Sequence, residues 1–398
     1  MKHLKTIIIF IFIIINTSFT QFQNSPVNKN FNEVKFFEFY KFDSKSKDSD
    51  LDNKFELWKL KSFLRGANIH PYKLFSPFSM NYPISRGDLI ELKILGANVV
   101  VANYPGVFTY FPPYVVDTFH LRNLDRIVEL TSDLKLNLII SIRSGPGRSL
   151  YTFFDKIRED EFVLVDSTAK SKYIEMCRFI VDRYKNYQNL VGVNFFLEPH
   201  SDDPVNISAI DDSTYFEFIE QLIDEVRNVD KSLPIIVQPM GWAYPDRFST
   251  MKKFDDDKIV YSFDMYFPHS FTNEKNDSSY PGFFFVKDSL VYVDSNYLRN
   301  FLKPVIKFKE KYDVPIFVNE YGGIRSKKGF IQYLKDLHQI FQENGFHFAY
   351  YVWKSEWGEL DGNIFDDYNY EKGSERENSK NSVNELIEEF KKVWNIKR

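Results

Sequence analysis

Eight short apolar runs, separated by stretches of helical period, constrain this sequence more than any other feature. They are Phe63–Ile69, Ala97–Tyr104, Asn137–Ser144, Leu190–Glu198, Pro234–Met240, Ile259–Phe267, Pro315–Glu320 and Phe346–Lys354. Most are continuous Val, Ile and Phe rather than alternating, as expected of parallel strands covered on both faces. Between them, Asp88–Leu95, Leu121–Leu134, Lys170–Tyr187, Tyr215–Val229, Leu298–Tyr312 and Lys328–Asn344 carry apolar residues at helical spacing. Only the fifth unit is weak, because Pro245–Lys253 is too short to promise a helix. Eight strand–helix units over about 335 residues place the chain in the α/β class as one (β/α)8 TIM barrel. A doubly wound open sheet would want a Gly-rich phosphate loop after its first strand. Gly145-Pro146-Gly147 has neither the spacing nor the helix for that role.

The flanks divide the rest. Lys2, His3 and Lys5 precede the apolar run Ile7–Ile15, and Ser18 and Thr20 are small residues placed for cleavage before Gln21. Nine apolar residues span about 14 Å as a helix, roughly half a bilayer core, so no membrane span is expected. We expect a signal peptide over 1–20, a polar and aromatic leader over 21–54 and a catalytic barrel domain over 55–398, exported as a mature chain. Phe55–Leu60 alternates ahead of the first strand, which suggests an N-terminal hairpin. Val383–Trp394 reads as a C-terminal helix.

Composition removes several function classes. With 51 Lys+Arg against 55 Asp+Glu, the net charge of −4 offers no basic excess to grip nucleic acid. Aromatic residues make up 18% of the chain, and a surplus of Tyr and Trp suits a site that stacks flat ligands. The seven His form no HExxH pattern, and Asp255-Asp256-Asp257 lacks the Gly and distal Glu of a calcium loop. No G-x-S-x-G elbow is present. Neither a metal nor another cofactor is expected, and a monomer is. Cys177 is the single cysteine, so no intramolecular disulfide can form.

In a barrel of this kind the chemistry sits where strands end at the C-terminal face. The fourth run ends in Glu198-Pro199-His200 and the seventh in Glu320-Tyr321-Gly322-Gly323. Two carboxylates on separate strands, aimed at one mouth, are what glycosidic hydrolysis needs. One protonates the leaving oxygen while the other attacks, or activates water at, the anomeric carbon. A strand terminus holds each group, and apolar neighbours raise the pKa of one.

Five segments taken together resemble glycoside hydrolase family 5, the cellulase-like clan A barrels. Leu64–Ile69 resembles the family's first-strand motif, Leu190–Pro199 the fourth-strand motif and Val260–Tyr266 the sixth-strand segment. Pro315–Gly322 resembles the seventh-strand motif, and Tyr350–Trp353 the eighth-strand tryptophan motif. The resemblance implies that Glu198 is the acid/base and Glu320 the nucleophile of a retaining mechanism. It implies that Tyr266 hydrogen-bonds the nucleophile and that Trp353 is the sugar platform. Trp242, Tyr244 and Trp357 are further candidate stacking faces.

The chain departs from the family at four places. Leu197 stands where Asn precedes the acid/base, and Val101-Ala102-Asn103-Tyr104 carries no second-strand Arg. Ile142-Arg143-Ser144 replaces a common His, and Asp264 another. Arg143 is the expected stand-in for the missing Arg, and Asn103 or Asn194 the expected partner of a sugar hydroxyl. The implied function is a retaining hydrolase of a β-linked glucan or mannan, with carbohydrate as the partner. A non-catalytic carbohydrate-binding protein on the same barrel, or a transglycosylase using the same two Glu, are the alternatives. Phe271–Asp294 after the sixth strand is long enough to wall the site.

Overall fold

The computed structural model describes residues 54–70, 72–73, 82–148, 159–200, 211–274, 276–353, 368–369, 374–375 and 379–395. The expected signal peptide and all but the last residue of the leader lie outside these residues. Eight strands carry the fold: β1 (Arg65–Ile69), β2 (Val99–Tyr104), β3 (Asn137–Ile142), β4 (Leu190–Asn194), β5 (Ile235–Val237), β6 (Ile259–Met265), β7 (Ile316–Tyr321) and β8 (His347–Tyr350). They close into one barrel in the order β1-β8-β7-β6-β5-β4-β3-β2, and every neighbouring pair is parallel. The TIM-barrel expectation holds. Gly66 on β1 admits no side chain, because a Cβ there would meet the Val99 carbonyl oxygen of β2 at 1.8 Å.

Two separate apolar cores follow from period-2 strands. One lies between sheet and helices, where Val100 and Ala102 of β2 point outward. The other fills the barrel, where Val99, Val101, Ile139, Ile236, Val260 and Phe317 converge. Continuous apolar strands are the consequence, since both faces are buried.

Helices cover the outside, and several begin on oxygen-bearing caps. Ser85 forms a capping box with Asp88 ahead of Arg86–Ile94. Asp117, Asp166 and Asp211 cap Thr118–Asp133, Ser167–Tyr184 and Asp212–Arg227, each accepting from backbone N–H groups that the helix leaves unpaired. The weak fifth unit has a 3-10 turn, Pro245–Ser249, in place of its helix. Asp256 is held by two hydrogen bonds from Arg227, at 2.6 and 2.9 Å, so the acidic triplet is an anchored turn. The C-terminal helix runs Ser379–Trp394 and buries Leu386, Phe390 and Trp394. After β6 the chain forms an antiparallel hairpin, Gly282–Val286 with Ser289–Val293. No helix among the described residues is long and apolar enough to cross a membrane.

The N-terminal hairpin is a correction. Glu56–Lys59 is a single helical turn, not a strand, and Trp58 enters the barrel from below. Its Nε1 donates to the Val191 carbonyl at 2.7 Å, and its ring meets Phe317 edge-on at 5.5 Å. The alternation in Phe55–Leu60 reflects this plug, which turns Phe55 and Trp58 inward from one short helix. Trp58→Ala should therefore destabilise the fold by about 3–5 kcal/mol, as for other buried aromatic truncations. Urea denaturation measures it, and a loss below about 1 kcal/mol would contradict the plug.

Candidate active site

Climbing the inner face of the barrel, the side chains change from apolar to polar at one level. On β2, Val99 and Val101 are followed by Asn103; on β6, Val260 is followed by Ser262 and Asp264; on β5, Ile236 is followed, just past the strand, by Gln238. All four polar residues are buried. Parallel strands end together, so this polar layer lies at the C-terminal mouth.

Glu320 reaches that layer through a break in pairing. Val318 pairs with Phe263 and Glu320 with Asp264, so Asn319 is an extra residue in β7. Such a bulge re-aims the side chain that follows it. Glu320 is 5% exposed. Asn103 Nδ2 donates to its Oε1 at 2.8 Å, and the Tyr266 hydroxyl donates to its Oε2 at 3.0 Å. Both hydrogen bonds favour the ionised carboxylate.

Glu198 is held by its main chain. It lies past the end of β4, with a left-handed φ of +49°. Holding a non-glycine residue there costs on the order of 1–3 kcal/mol and persists only where the surroundings over-determine it. Here they do. The Glu198 N–H donates to Gln238 Oε1 at 2.8 Å, and the Glu198 carbonyl accepts from His200 Nδ1 at 2.7 Å and from Arg148 at 3.3 Å. Arg148 is itself fully buried, donates to the Leu197 carbonyl at 2.5 Å and rests on the Phe196 ring at 3.9 Å.

One carboxyl oxygen from each of Glu198, Asp264 and Glu320 lies within 4.8 Å of the other two. Among the described residues this trio could also converge on a cation, but donors already occupy both oxygens of Glu320 and one of Asp264. Three adjacent carboxyls cannot all ionise freely. Burial first, then the Glu198 charge, pushes Glu320 up to about 8, against the opposing pull of Asn103, Tyr266 and Arg143. Burial, with Glu320 and Glu198 beside it, pushes Asp264 well above the usual carboxylate range.

The folded state holds the Glu320 proton more tightly than the unfolded chain, so this group's contribution falls as pH rises from about 4.5 to about 8. Glu320→Gln should raise the thermal midpoint at pH 8, and the gain should shrink towards pH 4. A calorimetric series over that range checks it, and a gain that grows towards acid would reverse the assigned shift.

The other expected site residues divide. Asn103 and Tyr266 converge on Glu320, as above. Arg143 is buried and donates to the Leu197 carbonyl at 3.3 Å, while its charge favours ionised Glu320. The second-strand position thus supports Glu320 with an amide, and the cation comes from the end of β3. Asn194 lies below the mouth, its amide engaged by Gln238 and by the Phe196 N–H, so it does not project toward a sugar. Leu197 is buried. Trp242 is half-buried, with one face stacked on His200 at 3.4 Å. Tyr244 packs edge-on against Phe301 at 6.1 Å, away from the carboxylates in its contacts. Trp357 lies outside the described residues.

Trp353 is a correction. It is fully buried and its Nε1 donates to the Asp88 carbonyl at 3.0 Å, so its ring fills the wall instead of offering a sugar platform. Among the described residues after β8, the aromatic that faces the carboxylates is Tyr351. It is half-buried, its ring lies 6.4 Å from that of Tyr266, and burial first, then the charges of Glu320 and Glu198, raise its pKa. Its hydroxyl meets His70 Nε2 at 2.9 Å; burial lowers His70 to about 4, so that imidazole is neutral near pH 7 and able to accept. Besides Tyr351, sequence reasoning missed Gln238 and Arg148. Gln238 carried a signal, being a polar residue at the end of an apolar run.

Comparison with known proteins bears on the family and the fold. Residues 65–356 match the family described as cellulase, glycosyl hydrolase family 5. Endoglucanase C of Acetivibrio thermocellus is 25% identical over 233 residues, which cover 51% of this chain and 63% of that protein. The chain thus spans under two thirds of the length of the curated relatives it matches. Among solved structures, Cel5A of Thermotoga maritima in complex with cellobiose aligns with a TM-score of 0.61 at 17% identity, covering 85% of this chain and 99% of that one. The cellulose synthase subunit Z of Clostridioides difficile aligns at 0.60 with 19% identity, covering 82% and 99%. At these identities the two structures speak for the fold alone.

Proposed function

The chain belongs to glycosyl hydrolase family 5, the cellulase family, and from that premise we propose that it hydrolyses β-linked glucans or mannans with retention of configuration. The observation that carries the proposal is the pair Glu198 and Glu320, one oxygen of each lying within 4.8 Å of the other at the barrel mouth. Retaining enzymes place their carboxyls about 5–5.5 Å apart, whereas inverting ones leave about 6.5–9.5 Å for a water.

Glu320 is the nucleophile. It reacts as its anion, which Asn103, Tyr266 and Arg143 favour against the upward push of burial and the Glu198 charge, so the reactive fraction grows as pH rises towards about 8. Glu198 donates its proton to the leaving oxygen as a Glu320 oxygen bonds to the anomeric carbon and the glycosidic bond breaks. Glu198 then takes a proton from water, whose oxygen attacks the same carbon and releases Glu320. Two inversions give net retention. Tyr351 supplies the aromatic face beside the attacked ring, in the place first assigned to Trp353.

We also propose export of the mature chain, supported by the basic, apolar and small-residue pattern of residues 1–20. N-terminal sequencing of the exported protein should begin near Gln21. The enzymatic proposal is tested by a panel of aryl β-glycosides, β-glucans and mannans. Turnover supports it, and binding without turnover would leave the carbohydrate-binding alternative.

A further inference from the structure

The sense of one buried hydrogen-bond chain is fixed by the backbone. The Phe196 N–H donates to Asn194 Oδ1 at 3.2 Å, so Asn194 Nδ2 is the donor that reaches Gln238 Oε1 at 3.1 Å. The Glu198 N–H donates to that same Oε1. Gln238 therefore presents Nε2 to Asp264 Oδ1, 2.9 Å away, and holds that oxygen as an acceptor. A proton on Asp264 then sits on Oδ2, a buried oxygen with no hydrogen bond of good geometry among the described residues, while the Asn319 amide and the Glu320 N–H lie close enough to the carboxyl to favour its anion in part. Gln238 is 0% exposed and Asp264 2% exposed.

Resting on the reading above, we propose that Gln238 and Asp264 act as one positioning unit: Gln238 anchors the main chain of the acid/base Glu198, and Asp264 stands beside the carboxylate pair as a neutral acid. The titratable groups facing Asp264 are Glu320 on β7, Glu198 beyond β4, Tyr266 beyond its own strand and Tyr351 beyond β8. Burial first, and then the neighbouring glutamates, disfavour an anion at this place and outweigh the pull of Asn319 and the Glu320 N–H. The unit also explains how Glu198 keeps its left-handed backbone without a glycine, since Gln238 closes the N–H side while Arg148 and His200 close the carbonyl side.

The test measures kcat/KM across pH for the purified full chain, Gln238→Leu and Asp264→Asn, using aryl β-glycosides of graded leaving-group ability. A loosened Glu198 donates its proton poorly. Gln238→Leu should therefore lose at least tenfold more on the poorest leaving group than on the best, which a merely structural defect would not do. Asp264→Asn should leave the alkaline limb in place or move it upward, because an amide replaces a neutral group of the same shape. A downward move of about one pH unit or more would mean that the variant had removed an anion, and would overturn the neutral-acid assignment. Equal losses on all leaving groups would overturn the anchor. Where Gln238→Leu does not fold, Gln238→Met carries the same comparison. Failure of the parent chain to turn over any glycoside would instead remove the hydrolase reading itself.

Discussion

Glu320→Gln should bind oligosaccharide and turn it over several orders of magnitude more slowly than the parent chain. The amide nearly matches the carboxylate in shape: its oxygen can still accept from Asn103, and its Nε2 can donate to the Tyr266 hydroxyl once that hydroxyl turns to accept. What is lost is the negative charge that attacks the anomeric carbon, an interaction made in the transition state and not in the ground state. kcat should therefore fall while the apparent binding constant stays within a few-fold. Isothermal titration with a slow or inert oligosaccharide measures the second quantity directly. A variant that keeps parent-like kcat would remove Glu320 from the reaction.

Glu198→Ala should show a different signature, because it removes proton transfer and leaves the nucleophile intact. Activated aryl glycosides should still load Glu320, since a good leaving group needs little protonation. The glycosyl ester then waits for water that no base activates. Azide needs no base, so adding it should restore turnover and give a β-glycosyl azide, the product of two inversions. The roles are reversed if azide rescues Glu320→Ala to a β-product instead. The pair of variants separates acid/base from nucleophile because each removes one half of one sequence of bonds made and broken.

The barrel was legible because its strands are buried on both faces and therefore read as uninterrupted Val, Ile and Phe. Strand ends were less so. The fourth apolar run reads as strand through Glu198, yet pairing stops at Asn194, and the next residues satisfy their backbone elsewhere: the Leu197 N–H donates to the Ile142 carbonyl. Apolar character persists there because Phe195, Phe196 and Leu197 still face packed surroundings. Trp353 was misjudged for a related reason. β8 ends at Tyr350, so alternation no longer says which way later residues point, and Tyr351 faces the mouth while Trp353 is buried. Gln238 and Arg148 act on main-chain atoms of other segments, contacts that no local pattern encodes. The departures from the family are compensated in part. Asn103 supports the carboxylate that the absent arginine would have held, and Gln238 bridges Asp264 to Glu198 where the sixth-strand histidine is missing.

The stereochemistry of hydrolysis tests the central claim most directly. Proton NMR of a soluble β-glycoside, recorded in the first minutes after enzyme is added, distinguishes the anomer released from the one formed later by mutarotation. Two carboxylates that bring one oxygen each within 4.8 Å should release the β-anomer first, with the α-anomer appearing only as the sugar equilibrates. Initial release of the α-anomer would contradict nucleophilic attack by Glu320.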